Sequence, residues 1–302
     1  MRYRNSLLEG AFLPDARAGY EPGETFLKNA GGRQGMYINR GTRTANNFQR
    51  IEAGQANEYV FVDAGTTFLT TGVTAQQLQT RQAVTPRDLA FAEYATSDDS
   101  DQPTVAKVNA YGQLGMTVTD PLSAHSMSWA ILGLGRLETF AVFAAGTFTT
   151  VGGDVAESIP VTGALVGDIC LVQVQTVGTG ARTVDEAIVA ANAITVEMSG
   201  DPAANTVLNY VVLRLVGTFR PSHYVAFGGT YVCATADAAG MAIAVSGAKT
   251  TDIPFSSISK TDDSDVIVST KVSAANVLTL TASADPDVAG THEFDYFILR
   301  AM

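Results

Sequence analysis

Phe143-Ala144-Ala145-Gly146-Thr147 has two counterparts in the chain, Phe61-Val62-Asp63-Ala64-Gly65-Thr66 upstream and Phe227-Gly228-Gly229-Thr230 downstream. Each is a small-Gly-Thr turn flanked by apolar residues of strand character. The glycines Gly65, Gly146 and Gly229 lie 81 and 83 residues apart. Further landmarks keep that order and that spacing. An Asp precedes an apolar strand at Asp88-Leu89, Asp168-Ile169 and Asp252-Ile253. An Asp-Pro turn follows a strand at Asp120-Pro121, Asp201-Pro202 and Asp285-Pro286. An aromatic-led strand closes each run, as Trp129-Ala130-Ile131-Leu132, Tyr210-Val211-Val212-Leu213 and Tyr296-Phe297-Ile298-Leu299. One such match could arise by chance. Four in register, each met in triplicate, read as tandem duplication of a module of about 80 residues.

The modules are expected at 59–133, 138–216 and 222–302, the first of them the most diverged. Their joins are short and glycine-bearing, which favours modules packed on one another over beads on a string. Period-two alternation in Ile194-Thr195-Val196-Glu197-Met198 and Leu278-Thr279-Leu280-Thr281 argues for strands. Thr183–Ala191 has a composition that suits a helix, but its counterpart at 266–272 is β-branched, so both are read as strands. Strand-like runs separated by Gly, Asp-Pro or Asp-rich turns give an all-β chain of small β-sandwich or jelly-roll-like modules, with about seven or eight strands each. A module of that size is small for a private core, so neighbouring copies or subunits are expected to share buried surface.

Composition bears on partners. Charged residues are 16% of the 302, and the net charge is −11. Nucleic-acid binding is not expected, because it calls for a basic surplus. Residues 1–58 hold eight Lys/Arg and six Asp/Glu, whereas residues 59–302 hold eleven and twenty-four. A mildly basic N-terminal region thus precedes acidic modules. That region is rich in glycine and proline, with isolated apolar anchors at Leu7, Leu8, Phe12 and Leu13. It reads either as an extended arm that lies on a partner subunit through those anchors or as a disordered tail. The two cysteines, Cys170 and Cys233, give no disulfide framework and read as buried thiols. No apolar h-region of a signal peptide and no membrane-length apolar run is seen, so a reducing cytoplasm is the expected place of synthesis.

The order of motifs in the second and third modules resembles a module of tailed-bacteriophage virion proteins. It runs from Phe143-Ala144-Ala145-Gly146-Thr147-Phe148 through Gly167-Asp168-Ile169 and Met198-Ser199-Gly200-Asp201-Pro202 to Tyr210-Val211-Val212-Leu213-Arg214. Met36-Tyr37-Ile38-Asn39-Arg40-Gly41-Thr42 with Phe48-Gln49-Arg50-Ile51 is similar to a strand-turn of phage capsid-associated and fibre proteins. The resemblance implies a virion component. Either it is a capsid decoration, or cement, protein that holds the major capsid protein, or a head- or tail-fibre or spike component that binds a host glycan. A homo-oligomer, dimer or trimer, is expected, located in the virion.

Catalysis is not expected. His125 and His292 each stand four residues before a closing aromatic, but Thr206 holds the matching position in the second module. No nucleophile elbow, zinc spacing or phosphate-binding loop is present. The acidic runs Asp98-Asp99-Ser100-Asp101 and Asp262-Asp263-Ser264-Asp265 read as solvated turns, with calcium as the alternative. No cofactor, metal site or catalytic residue is therefore assigned.

Overall fold

The computed structural model describes residues 8–10, 25–28, 35–39, 48–51, 59–70, 72–80, 82, 84–96, 103–118, 126–134, 138–178, 183–202, 205–216, 221–233, 240–260, 267–283 and 292–302. Every helix-or-strand element among them is a β-strand. The chain divides into two compact units, residues 1–57 with 135–137, and residues 58–134 with 138–302.

In the first unit, β1 (Leu8–Gly10), β2 (Thr25–Lys28), β3 (Gly35–Asn39) and β4 (Phe48–Ile51) make one sheet in that order. β1 and β2 run parallel, and the other two pairs antiparallel. Two of these strands fall on the strand-turn read at Met36–Thr42 and Phe48–Ile51. The other two appear where a glycine- and proline-rich composition does not announce them.

The second unit contains three successive runs of six strands. The first is β5 (Tyr59–Phe68), β6 (Ala75–Gln79), β7 (Leu89–Thr96), β8 (Pro103–Ala110), β9 (Gln113–Val118) and β10 (Ser126–Leu134). Next come β11 (Phe140–Thr149), β12 (Ala156–Pro160), β13 (Ile169–Thr176), β14 (Val184–Ala190), β15 (Ala193–Met198) and β16 (Val207–Leu215). The last run is β17 (His223–Val232), β18 (Gly240–Ala244), β19 (Ile253–Lys260), β20 (Ile267–Ala274), β21 (Val277–Ala282) and β22 (Glu293–Ala301). In every run the first, sixth and third strands pair in that order within a nine-stranded sheet. The second, fifth and fourth pair as a separate three-stranded sheet. Each run is thus a three-on-three sandwich, with fewer strands than the turn spacing predicts.

Finer details repeat as well. β5, β11 and β17 carry a register shift against their closing strands at Val62, Phe143 and Ala226. β7, β13 and β19 carry one at Ala95, Gln175 and Ser259. The hairpins β8–β9, β14–β15 and β20–β21 turn through Gly112, Asn192 and Asn276, all at positive φ, 74°, 63° and 66°. Only Gly and Asn adopt that conformation readily. This explains why Ala191-Asn192-Ala193 and Ala275-Asn276-Val277 match in sequence.

The small-Gly-Thr stretches, read as turns in the sequence, lie inside β5, β11 and β17, and each glycine works with the closing aromatic it faces. Trp129 pairs with Gly65, Tyr210 with Gly146, and Tyr296 with Gly229. A Cβ on these glycines would lie 2.9, 2.7 and 3.0 Å from the facing aromatic side chain. Glycine therefore leaves the space over the strand that the ring fills, as aromatic residues do across glycines in sheets.

Two kinds of core result. The closing strand β10 is buried over eight of its nine residues, because its faces meet different partners. Met127, Trp129 and Ile131 pack inside the first sandwich. Ala130 and Leu132 point the other way, into a cluster with Phe61, Phe140, Leu213, Phe255 and Phe297. β16 and β22 divide their residues similarly between this central cluster and the outer clusters of their own runs. A strand buried on both faces reads as a continuous apolar run, which is how all three closing strands read. The outer sheets alternate instead, as β12 and β18 show with every second residue buried. The core of each run is therefore supplemented by a shared one, since about 80 residues are few for a private core.

Candidate functional site

The most distinctive polar chemistry lies where the three runs meet. β11 touches β5 at Phe140↔Phe61 and β17 at Val142↔His223. At these contacts the Thr139 amide donates to the Phe61 carbonyl at 2.9 Å, and the Ser222 amide to the Val142 carbonyl at 2.9 Å. These are the same bond, one run apart.

Around the shared core runs a chain of side chains at one repeated position. Glu93, Gln173 and Ser257 each stand five residues after Asp88, Asp168 and Asp252. Glu93 Oε2 accepts the Val172 N–H. Gln173 donates through Nε2 to the Ser256 carbonyl and accepts the Ser256 N–H at 2.9 Å. Ser257 Oγ donates to the Ala90 carbonyl. Run one thus reaches run two, run two reaches run three, and run three returns to run one. Asn209 adds bonds from Nδ2 to the carbonyls of Pro254 (2.9 Å) and Thr270 (3.2 Å). Asp295, one run later at the position of Asn209, is pushed up to about 6 by burial, against the pull of Thr230, the Ala90 amide, Ser259 and Lys107.

The aspartates that open β13 and β19 organise their preceding turns. Asp168 Oδ2 accepts the Leu165 N–H at 2.9 Å, and Asp252 Oδ2 the Lys249 N–H at 2.8 Å. The Asp88 carboxylate takes the Thr85 N–H at 2.7 Å in the same way. In runs two and three an arginine completes the motif. Arg214 binds Asp168 in a fork and donates to the Gly163 carbonyl at 2.8 Å. Arg300 binds Asp252 in a fork and donates to the Gly247 carbonyl at 2.8 Å. Burial pushes the Asp252 carboxyl up, but Arg300 and the Lys249 amide and charge outweigh it and hold it below the usual carboxylate range. In run one Gly133 occupies the arginine's position.

Of the residues singled out in sequence, Leu7, Phe12, Leu13, His125 and both acidic runs lie outside the described residues. Leu8 opens β1, of which only the backbone is described. His292 is buried and stacks on Phe294, ring centroids 6.4 Å apart. His223 is half-buried beside Ser222 Oγ at 3.0 Å, and burial lowers its pKa. Cys170 and Cys233 are buried in different outer cores and form no disulfide. Among the described residues no three His, Cys, Asp or Glu side chains gather as a metal site would require. No helix among them is long and apolar enough to cross a membrane. The junction residues Glu93, Gln173, Ser257 and Asn209 escape the sequence reading. Their signal is a polar residue held at one repeat position inside otherwise apolar strands.

Exposed apolar side chains mark the two ends of the central strands. Leu134, Leu215, Val216 and Met302 are exposed where β10, β16 and β22 finish, and Phe68 and Val232 where β5 and β17 finish.

Comparison of the chain with protein-family models, curated proteins and solved structures returns no match.

Proposed function

We propose that the second unit is three tandem copies of one β-sandwich module, and that the protein is a structural component of a phage virion, a capsid decoration protein that binds the major capsid protein. The observation that supports this best is the closed junction. The polar residues that point inward are spent on bonds from one run to the next, and the apolar ones on a shared cluster. Such a body is built for rigidity. Its three like faces match a place where three partner subunits meet, and its exposed apolar ends offer contact area. The mildly basic residues 1–58 would approach an acidic shell without repulsion, with Leu7, Leu8, Phe12 and Leu13 as anchors. The protein carries no catalytic role in this reading.

Immunogold labelling of virions tests the assignment. Label spread over the head supports decoration, label confined to a fibre or tail supports a glycan-binding fibre component instead, and unlabelled virions refute both. Turnover in a screen of glycans and peptides, abolished by a single carboxylate substitution, would refute the non-enzymatic reading. A chain beginning at Gln55, offered to shells stripped of the protein, should bind far more weakly than the full chain. Equal saturation would place attachment in the sandwiches.

A further inference from the structure

We propose that Glu93 is a pH-sensitive latch between the first and second runs: its neutral carboxyl holds β7 against β13, and its ionisation loosens the junction. This does not depend on the virion reading.

Three observations place the latch. Glu93 Oε2 accepts the Val172 N–H across the boundary between runs. Its Oε1 is closed to solvent and has no hydrogen-bond partner. A cavity of about 60 Å³ adjoins it, lined from all three runs by residues including Tyr94, Val105, Gln173, Ser256 and Ile258. An oxygen that is buried and unsatisfied tolerates a neutral acid far better than an anion. The matching positions carry neutral groups: Gln173 accepts the Ser256 N–H as Glu93 accepts the Val172 N–H, and Ser257 donates to the Ala90 carbonyl.

Among the described residues no positive charge offsets an anion here. β13 brings the Cys170 thiol, which both burial and Glu93 push up. β14 brings Asp185 and Glu186, and β22 brings Asp295. The Lys107 charge on β8 acts on Asp295. Lys260 lies against Glu293 at 3.7 Å, and Arg300 forks onto Asp252. β10 carries no titratable side chain. Tyr94, next in the chain, belongs to the core of run one. Desolvation accordingly pushes the Glu93 carboxyl up to about 8, although the Val172 amide and Gln173 pull the other way.

The sign follows from proton linkage. The folded chain holds this proton between the ordinary carboxyl range and about pH 8, while the unfolded chain has released it. Stability is therefore lost as pH rises through that window. Each pH unit raises the unfolding constant about tenfold through this group. The test is urea unfolding of the full chain and of Glu93→Gln from pH 5.5 to 7.5. The ratio of wild-type to variant unfolding constants should rise about a hundredfold over these two units. A ratio steady within about twofold overturns the latch. If the variant does not fold, carbon-13 NMR of the wild-type glutamate carboxyls decides. A carboxyl titrating near pH 8 supports the latch, and every glutamate titrating in the ordinary range refutes it.

Discussion

The first run and the two that follow solve the same problem with different chemistry. Runs two and three tie the turn before β13 or β19 to the closing strand by an arginine fork, Arg214 to Asp168 and Arg300 to Asp252. Each guanidinium also lies over an aromatic ring, Phe143 at 3.9 Å and Phe227 at 5.4 Å. Run one keeps the aspartate and its turn but has Gly133 for the arginine. Its Phe91 meets Phe297 edge-on at 4.7 Å in the central cluster, a place taken by Leu171 in run two and Phe255 in run three. The lesson is that the repeated skeleton rests on pairing, turns and apolar burial. An arginine four residues after the closing aromatic is an addition, since run one keeps the same strand order with Gly133 there.

The largest expected effect lies at the centre. Phe297 contacts Phe61 and Phe91 of run one and Phe255 of its own run, at 5.4, 4.7 and 5.0 Å between centroids, and shares its cluster with Leu171 and Leu213 of run two. Phe297→Ala should cost about 3–5 kcal/mol in denaturant unfolding. A loss under about 1 kcal/mol would mean that the outer cores stand without it.

Glycine positions give the next effect and separate the runs. Gly65→Ala should cost about 1–3 kcal/mol, because Trp129 is buried and cannot move aside. Gly146→Ala should cost less, since Tyr210 is only partly buried and its ring tip can shift. Equal thermal shifts for the two would contradict that distinction.

Arg300→Ala should cost about 1–2 kcal/mol, between the values of exposed and buried pairs, because the Arg300 side chain is 23% exposed while that of Asp252 is 2% exposed. The depressed pKa of Asp252 fixes the pH dependence. Its contribution is present above the ordinary carboxyl range and is lost as pH falls through the lower folded value. The gap between wild type and variant should therefore narrow in strong acid. A gap that widens there would assign Arg300 another role.

Smallest is Ser257→Ala, which removes one bond to the Ala90 carbonyl and should cost about 1 kcal/mol. No measurable change would show that this side of the junction closes without it.

The sequence makes much of the fold legible because its signals are local. Glycine facing an aromatic, Asp three residues after a turn amide, and Asn at a left-handed hairpin position each leave a fixed residue at a fixed spacing. Strand count was harder to read, because turns within loops mimic turns between strands. The junction was hidden for another reason. Glu93, Gln173 and Ser257 share a position but no residue type, and their partners lie 79, 83 and 167 residues away in the chain. Spacing reveals repeats, whereas contacts between repeats depend on how they close in space.

The central claim is that one shared cluster makes the three runs a single cooperative body. Native-state hydrogen exchange on the full chain, with and without Phe297→Ala, tests it most directly. The amides of Leu132, Leu213 and Leu299 lie on the three closing strands and their side chains in the shared cluster. The account predicts that all three open with the same free energy and that the substitution lowers all three equally. A loss of protection confined to Leu299 would contradict it, leaving three sandwiches that unfold independently.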